Sequence, residues 1–257
     1  MKESGLKGAA LVTGAAHRVG AVLARRLAKA GYAVVIHHHR SAKSAEALVA
    51  EIESAGGRAA TLHADLTDRS QRARLIARAA EPFGPLTVLI NNASVYEPDS
   101  AGTLDEALWD DHFALHLEAP VFLARDFAAQ LPEGVEGNVI NMIDARVLQP
   151  VPAYFSYALS KAALFSATRT LAQSLAPRIR VNAVGPGPTL PERGQSAEAF
   201  AARNRQLLLG HGSPPDDIAE AVLYLLSAQS VTGQMLAVDG GIHLEWPDWA
   251  DPTPRDK

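Results

Sequence analysis

Two hydrophobic patterns take turns along this chain: short, nearly continuous apolar runs, and longer segments whose apolar residues return every three or four positions. The first pattern belongs to strands buried on both faces, the second to amphipathic helices. Residues 8–13 form the first run, followed by a glycine-rich turn from Gly14 to Gly20 and a helix patterned by Val22, Leu23, Leu27 and Ala28 that stops at Gly31. Further strands are expected over 32–36, 58–63, 86–90, 137–143, 179–184 and 235–238. Helices are expected over 41–55, 104–131, 157–176, 198–209 and 215–227, with Thr67 capping another after the third strand. Strict alternation implies an α/β fold: a Rossmann-type doubly wound parallel sheet of about seven strands with helices on both faces, joined by right-handed crossovers.

No repeat, linker or break in composition interrupts residues 1–245, which are expected to form a single dinucleotide-binding and catalytic domain. Residues 246–257 carry three prolines and three aspartates and are expected to be an irregular tail. Its Trp246 and Trp249 then dock either on the parent subunit or across an oligomer interface. The 257 residues have a formal net charge of −4 and no dense basic run, so no nucleic-acid partner is expected. No stretch approaches the length of a membrane span or a signal peptide. Without cysteine there is neither a disulfide nor a thiolate metal site, which fits a soluble, cytoplasmic protein.

The candidate chemistry lies late in the chain. Tyr157 and Lys161 stand one helical turn apart, on one face, so the ammonium is expected to favour phenolate and lower the pKa of Tyr157. Asp144 ends the apolar run 137–143, and the carboxyl ends of strands are where open α/β sheets place their ligands. The glycines of Thr13-Gly-Ala-Ala-His-Arg-Val-Gly20 allow a tight turn and bring amides and a helix N-terminus toward a pyrophosphate. The second strand ends His37-His-His-Arg40-Ser41 without an acid. Arg40 and Ser41 therefore suit a ribose 2′-phosphate, and NADPH is the expected cofactor. Strand alternation sends His38 to the face opposite His37 and His39, so no metal site is expected.

Thr-Gly-x-x-x-Arg-x-Gly, Asn-Asn-Ala from Asn91, Tyr-x-x-x-Lys, Pro-Gly after the sixth strand and Asp-Gly-Gly from Asp239 stand in the order found in the short-chain dehydrogenase/reductase family, which residues 8–242 resemble. The resemblance implies a cofactor loop from Gly14, His17, Arg18, Val19 and Gly20, and a phosphate and adenine end at His39, Arg40, Ser41, Asp65 and Leu66. Asn91, Asn92 and Ala93 would wall the ribose, Lys161 and Tyr157 would hold the nicotinamide ribose, and Pro186, Gly187 and Thr189 would lie near the carboxamide or pyrophosphate.

Most family members carry serine where this chain has Asp144. That difference, with the His-His-Arg-Ser ending and Asn-Met-Ile-Asp144, resembles the pteridine reductase branch. The likeness implies a small-molecule substrate, a pterin or dihydrofolate, with its ring stacked on Tyr96 and its polar edge on Ser94 and Arg18. Hydride would reach a C=N carbon and Tyr157 would supply the proton, helped by Asp144. Because an ionised Asp144 would oppose a phenolate, a coupled and partly protonated pair is expected. His116 stands where the family usually holds a water with asparagine, and either keeps that water or merely packs. Residues 186–196 are expected to form a mobile lid. The resemblance also implies a homotetramer assembled through the 104–131 and 157–176 helices. Two other readings stay open: a carbonyl or alcohol oxidoreductase that happens to carry aspartate, and an NADPH-binding regulator without turnover.

Overall fold

In the computed structural model, which describes residues 7–192 and 194–245, seven parallel strands form one sheet in the order β3-β2-β1-β4-β5-β6-β7. They are β1 (Ala9–Val12), β2 (Ala33–His38), β3 (Arg58–His63), β4 (Leu86–Asn91), β5 (Gly137–Met142), β6 (Ile179–Pro186) and β7 (Met235–Val238). The helices between them are α1 (Arg18–Lys29), α2 (Ala42–Ser54), α3 (Arg69–Arg72), α4 (Leu75–Ala80), α5 (Glu106–Phe113), α6 (Ala119–Gln130), α7 (Phe155–Leu175), α8 (Ala197–Asn204) and α9 (Pro215–Ser227). This is the doubly wound α/β arrangement that the alternation of patterns implies. The expected tail, with Trp246 and Trp249, lies outside the described residues.

Period-two alternation divides the strand side chains between two cores. Ala10, Val12, Val34, Ile36, Ile90 and Ile140 pack under α1, α2 and α9. Ala9, Leu11, Val35, Leu89, Val139 and Val181 pack on the other face against α4, α6 and α7, around the fully buried Phe127. With both faces covered, the strands are free to be apolar throughout. The chain reverses its direction of sheet growth between β1 and β4, and their carboxyl ends open the crevice in which such folds bind ligands.

Three local details differ from expectation. Thr67 is not the cap: its amide and hydroxyl are donated to Asp65 at 2.9 and 2.8 Å, and Asp68 caps α3, accepting from the amides of Ser70 and Gln71. The 104–131 helix is broken into α5 and α6 by a π-helical turn, Ala114–Glu118. Pro120 has no N–H to return to the preceding turn, which favours a wider helix there. Finally, α8 stops at Asn204, well short of residue 209, and buries none of its residues.

Candidate active site

Tyr157 lies in the first turn of α7 and its hydroxyl donates to Asp144, just beyond β5, at 3.0 Å. The start of α7 is fixed from a distance. Tyr154 at its N-cap has φ 56° and supplies no cap of its own, and Asp99, from the loop after β4, accepts the Ser156 amide at 3.1 and 3.2 Å and the Ser156 hydroxyl as well. Asp144 also accepts the Arg146 amide at 2.8 Å, which holds its carboxyl toward the phenol. The phenol ring meets Tyr96 edge-on at 4.8 Å and rests on the edges of two stacked histidines, His116 at 5.3 Å and His112 at 6.0 Å.

This packing leaves Tyr157 only 5 % exposed, and burial, reinforced by the charge of Asp144, pushes its phenol well above the ordinary range. Burial likewise raises the Asp144 carboxyl. Both groups are therefore shifted toward their protonated forms. The expected action of Lys161 is corrected. Its ammonium donates to the Met142 carbonyl at 2.9 Å and lies 5.7 Å from the Tyr157 ring centre. Burial lowers its own pKa to about 8. Without a ligand it does not turn the phenol into a stronger acid, because desolvation and the neighbouring carboxyl outweigh it.

His116 sits in the π-helical turn and is fully engaged. Its Nε2 accepts from the Val95 amide at 3.1 Å and lies 3.0 Å from the Ser94 hydroxyl, so Nδ1 carries the hydrogen and donates to Ser160 Oγ at 2.9 Å. Both ring nitrogens are thus committed to protein partners, and the water-holding alternative lacks a free one. Desolvation, with Lys161 nearby, keeps the imidazole neutral, its pKa well below the usual value. Ser94 is thereby drawn toward His116 as well as toward the cleft.

Most of the residues expected to hold the cofactor meet at the carboxyl ends of β1, β2 and β4. Thr13 Oγ1 accepts the amides of Asn92 and Ala93 at 2.9 and 3.0 Å, and Asn92 Nδ2 donates back to the carbonyls of Thr13 and Gly14. The loop has no room for a side chain at either glycine: a Cβ at Gly20 would stand 2.5 Å from the Gly14 carbonyl, and one at Gly14 2.8 Å from Ala93 Cα. A groove of about 1120 Å³ opens beside it. Gly14, His17, Arg18, Val19 and Gly20 line it on one side, His39, Arg40, Asp65 and Leu66 at the far end, and Asn92, Ala93 and Ser94 on the other side. A tight backbone, exposed Arg40 and His39, and a groove of this volume fit a phosphorylated dinucleotide. Ser41, Pro186 and Lys161 do not line the groove, and Asn91 is buried, bonded to Asn141 at 2.8 Å.

His37 ties this end together, accepting the Gly14 amide at Nδ1 (3.0 Å) and donating from Nε2 to the Ala64 carbonyl (3.1 Å). It is 2 % exposed, and desolvation pushes its pKa down to about 4. In the unfolded chain the ring binds a proton below about pH 6.5, whereas in the fold it stays neutral to much lower pH. Its contribution to stability is therefore complete above that value and is lost as pH falls toward about 4. Unfolding by urea is expected to show the wild type losing about 2 kcal/mol more than His37→Gln between about pH 7.5 and about pH 5. Equal losses would mean that His37 titrates as it does in the unfolded chain.

A second, smaller cleft of about 200 Å³ adjoins the acid pair and contains Arg18, Tyr96, Asp144, Tyr157, Gly187 and Thr189. It also contains Arg146, Glu192 and Arg203, which sequence reasoning missed. Tyr154, equally unforeseen, stacks on Tyr96 at 4.1 Å and 14°. Arg146 donates to the Tyr96 hydroxyl at 2.6 Å and lies over both rings. Arg18, itself in the left-handed region at φ 51°, donates to the Pro191 carbonyl at 3.2 Å. Together with the Tyr154 hydroxyl on Glu192, this contact engages Pro191 and Glu192 of the segment expected to be a mobile lid.

The family described as enoyl-(acyl carrier protein) reductase matches residues 14–243. A short-chain type dehydrogenase/reductase of Picea abies is 34% identical over 247 residues, covering 90% of this chain and 91% of that one. The chain belongs to the short-chain dehydrogenase/reductase family. Its relatives in that family include pteridine reductase 1 of Leishmania tarentolae, 33% identical over 277 residues, covering 91% of this chain and 96% of the relative. The crystal structure of the FolM alternative dihydrofolate reductase 1 of Brucella canis, complexed with NADP, has a TM-score of 0.91 and 46% identity, with 94% of this chain and 96% of that one covered. As a member of this family the protein is an oxidoreductase. Among the described residues no helix is long and apolar enough to cross a membrane.

Proposed function

We propose that this protein is an NADPH-dependent reductase of a C=N bond in a pterin or dihydrofolate-type substrate. The observation that carries the reading is the 3.0 Å hydrogen bond from Tyr157 to Asp144, two acids whose pKa values burial raises. A ring nitrogen that gains electron density as its carbon is reduced needs a full proton, and a carboxyl can replenish the one that a phenol gives up. When bound, NADPH supplies the hydride that adds to the carbon. Tyr157 holds the proton for the nitrogen, and Asp144 holds the next one behind it.

The remaining residues fit this work. Gly14, Arg18 and Gly20 would take the pyrophosphate, and Arg40 with Ser41 the 2′-phosphate, where no acid stands to repel it. Tyr96 offers a face to a flat heteroaromatic ring, and Arg18 and Ser94 offer donors to its polar edge. The relatives named as pteridine reductase and as dihydrofolate reductase, the latter complexed with NADP, support the same assignment. A cytoplasmic homotetramer belongs to the proposal, and sedimentation tests the assembly.

With NADPH as donor, dihydrobiopterin or dihydrofolate is expected to be reduced with a kcat/KM at least ~10²-fold above that of simple ketones, since a site built around polar partners rejects substrates that leave them unpaired. Ketone turnover equal to or above that of both pterins overturns the assignment in favour of carbonyl reduction. Tight NADPH binding with no turnover of any substrate overturns it in favour of a regulator.

A further inference from the structure

The substrate cleft holds more guanidinium groups than a neutral ring requires. Arg18, Arg146 and Arg203 all line it, against two acids, Asp144 and Glu192. Among the described residues Arg18 and Arg146 have no carboxylate within ion-pair distance, and Asp144, in contact with the Tyr157 hydroxyl, is the acid that burial drives toward its neutral form. The ionised groups of the cleft therefore sum to an excess of positive charge. Glu192 is the exception that shows how the excess is used. One of its carboxylate oxygens lies 3.3 Å from Arg203 Nη1, and the other accepts from the Tyr154 hydroxyl at 3.1 Å.

That contact is a long one with a single nitrogen, between side chains that are each 36% exposed. A guanidinium paired with a well-placed carboxylate makes two parallel bonds at shorter range. Arg203 is thus held by a carboxylate of the protein's own, in a geometry that a mobile carboxylate can improve on.

Building on the reading above, we infer that Arg203 is the docking point for a carboxylate on the substrate, with Glu192 standing in for that group until it arrives. The site is then built for a pterin that carries an acidic tail, such as the glutamyl group of dihydrofolate, in preference to an unconjugated pterin such as dihydrobiopterin. The ring is handled at Tyr96 and the Asp144–Tyr157 pair, and the tail is read on α8. Because α8 buries none of its residues, Arg203 can be altered without disturbing the core.

The test compares kcat/KM for dihydrofolate and dihydrobiopterin, with NADPH, in the wild type, Arg203→Gln and Glu192→Gln. Arg203→Gln is expected to lower the dihydrofolate-to-dihydrobiopterin ratio by roughly 10-fold, a charge-assisted contact discounted for its partial exposure. Glu192→Gln is expected to raise the ratio, because the internal competitor loses its charge, and Arg203→Lys to keep part of it. If the wild type reduces both substrates and neither Gln variant moves the ratio beyond twofold, the assignment of Arg203 is wrong while the pterin reading stands. A fall of the ratio in Glu192→Gln also overturns it, since Glu192 would then be binding substrate. If the wild type reduces neither substrate, the pterin reading fails and takes this inference with it.

Discussion

Tyr157→Phe is expected to slow hydride transfer by roughly 10²–10⁴-fold, the range that a positioned general acid contributes. Phenylalanine keeps the ring that packs edge-on against Tyr96 and His116 and removes only the hydroxyl that donates to Asp144 at 3.0 Å. Because the core around the ring is retained, the loss should fall on the chemical step and not on folding. Single-turnover absorbance of NADPH, with substrate in excess, reads that step directly. A rate within twofold of the wild type would remove Tyr157 from the chemistry. Whatever rate survives measures how well Asp144, which lines the same cleft, can deliver a proton without the phenol between it and the substrate.

Lys161 enters this argument differently from the way its spacing suggests. One helical turn separates it from Tyr157, but spacing says nothing about where an ammonium finds an acceptor. Buried to 3 % exposure, it takes the Met142 carbonyl at the end of β5, and so ties α7 to the strand that leads to Asp144. Desolvation is what raises both pKa values of the ligand-free pair.

The fold was legible because strands buried on both faces must be apolar throughout, and glycines mark where they end. The paired motifs were legible because their members are close in sequence, as Gly14 is to Gly20 and Tyr157 to Lys161. What escaped was set by distance or by competition. Asp99 caps α7 from 57 positions away, and nothing local in its loop points to Ser156. Thr67 and Asp68 are both good caps by composition; the helix starts after Asp68, whose carboxylate accepts the Ser70 and Gln71 amides, while Thr67 turns its hydroxyl back to Asp65. The break in the 104–131 helix did have a signal, Pro120, although the apolar period runs straight through it. Tyr154, Arg146 and Arg203 lie in different segments and meet only at the cleft. Of these, Arg146 alone could have been suspected, two residues past an acid at a strand end.

Asp144 is where the chain departs from a simple hydroxyl neighbour, and its replacement separates the possible roles. Asp144→Ala is expected to slow pterin reduction by roughly 10²-fold and to alter its pH dependence. Burial raises the carboxyl above its ordinary value of about 3.9, so in the wild type the chemical step should fall as pH rises through that raised value and the reserve proton is lost. In the Ala variant this limb should disappear, leaving a slower rate that stays level until the phenol itself ionises. Asp144→Ser restores a hydrogen bond but no transferable proton, and should recover ketone reduction more than pterin reduction. Stability should move the other way. A carboxyl raised in the fold binds its proton at a pH where the unfolded chain has already released it, so its stabilising contribution is present at low pH and disappears as pH rises through the folded value. At neutral pH the wild type bears the desolvation of Asp144 and both variants escape it, so each should unfold at a higher urea concentration than the wild type while reducing pterins more slowly. That opposition marks a residue kept for chemistry and not for folding. A variant that was less stable and equally active at every pH would make Asp144 a structural cap of the Arg146 turn and nothing more.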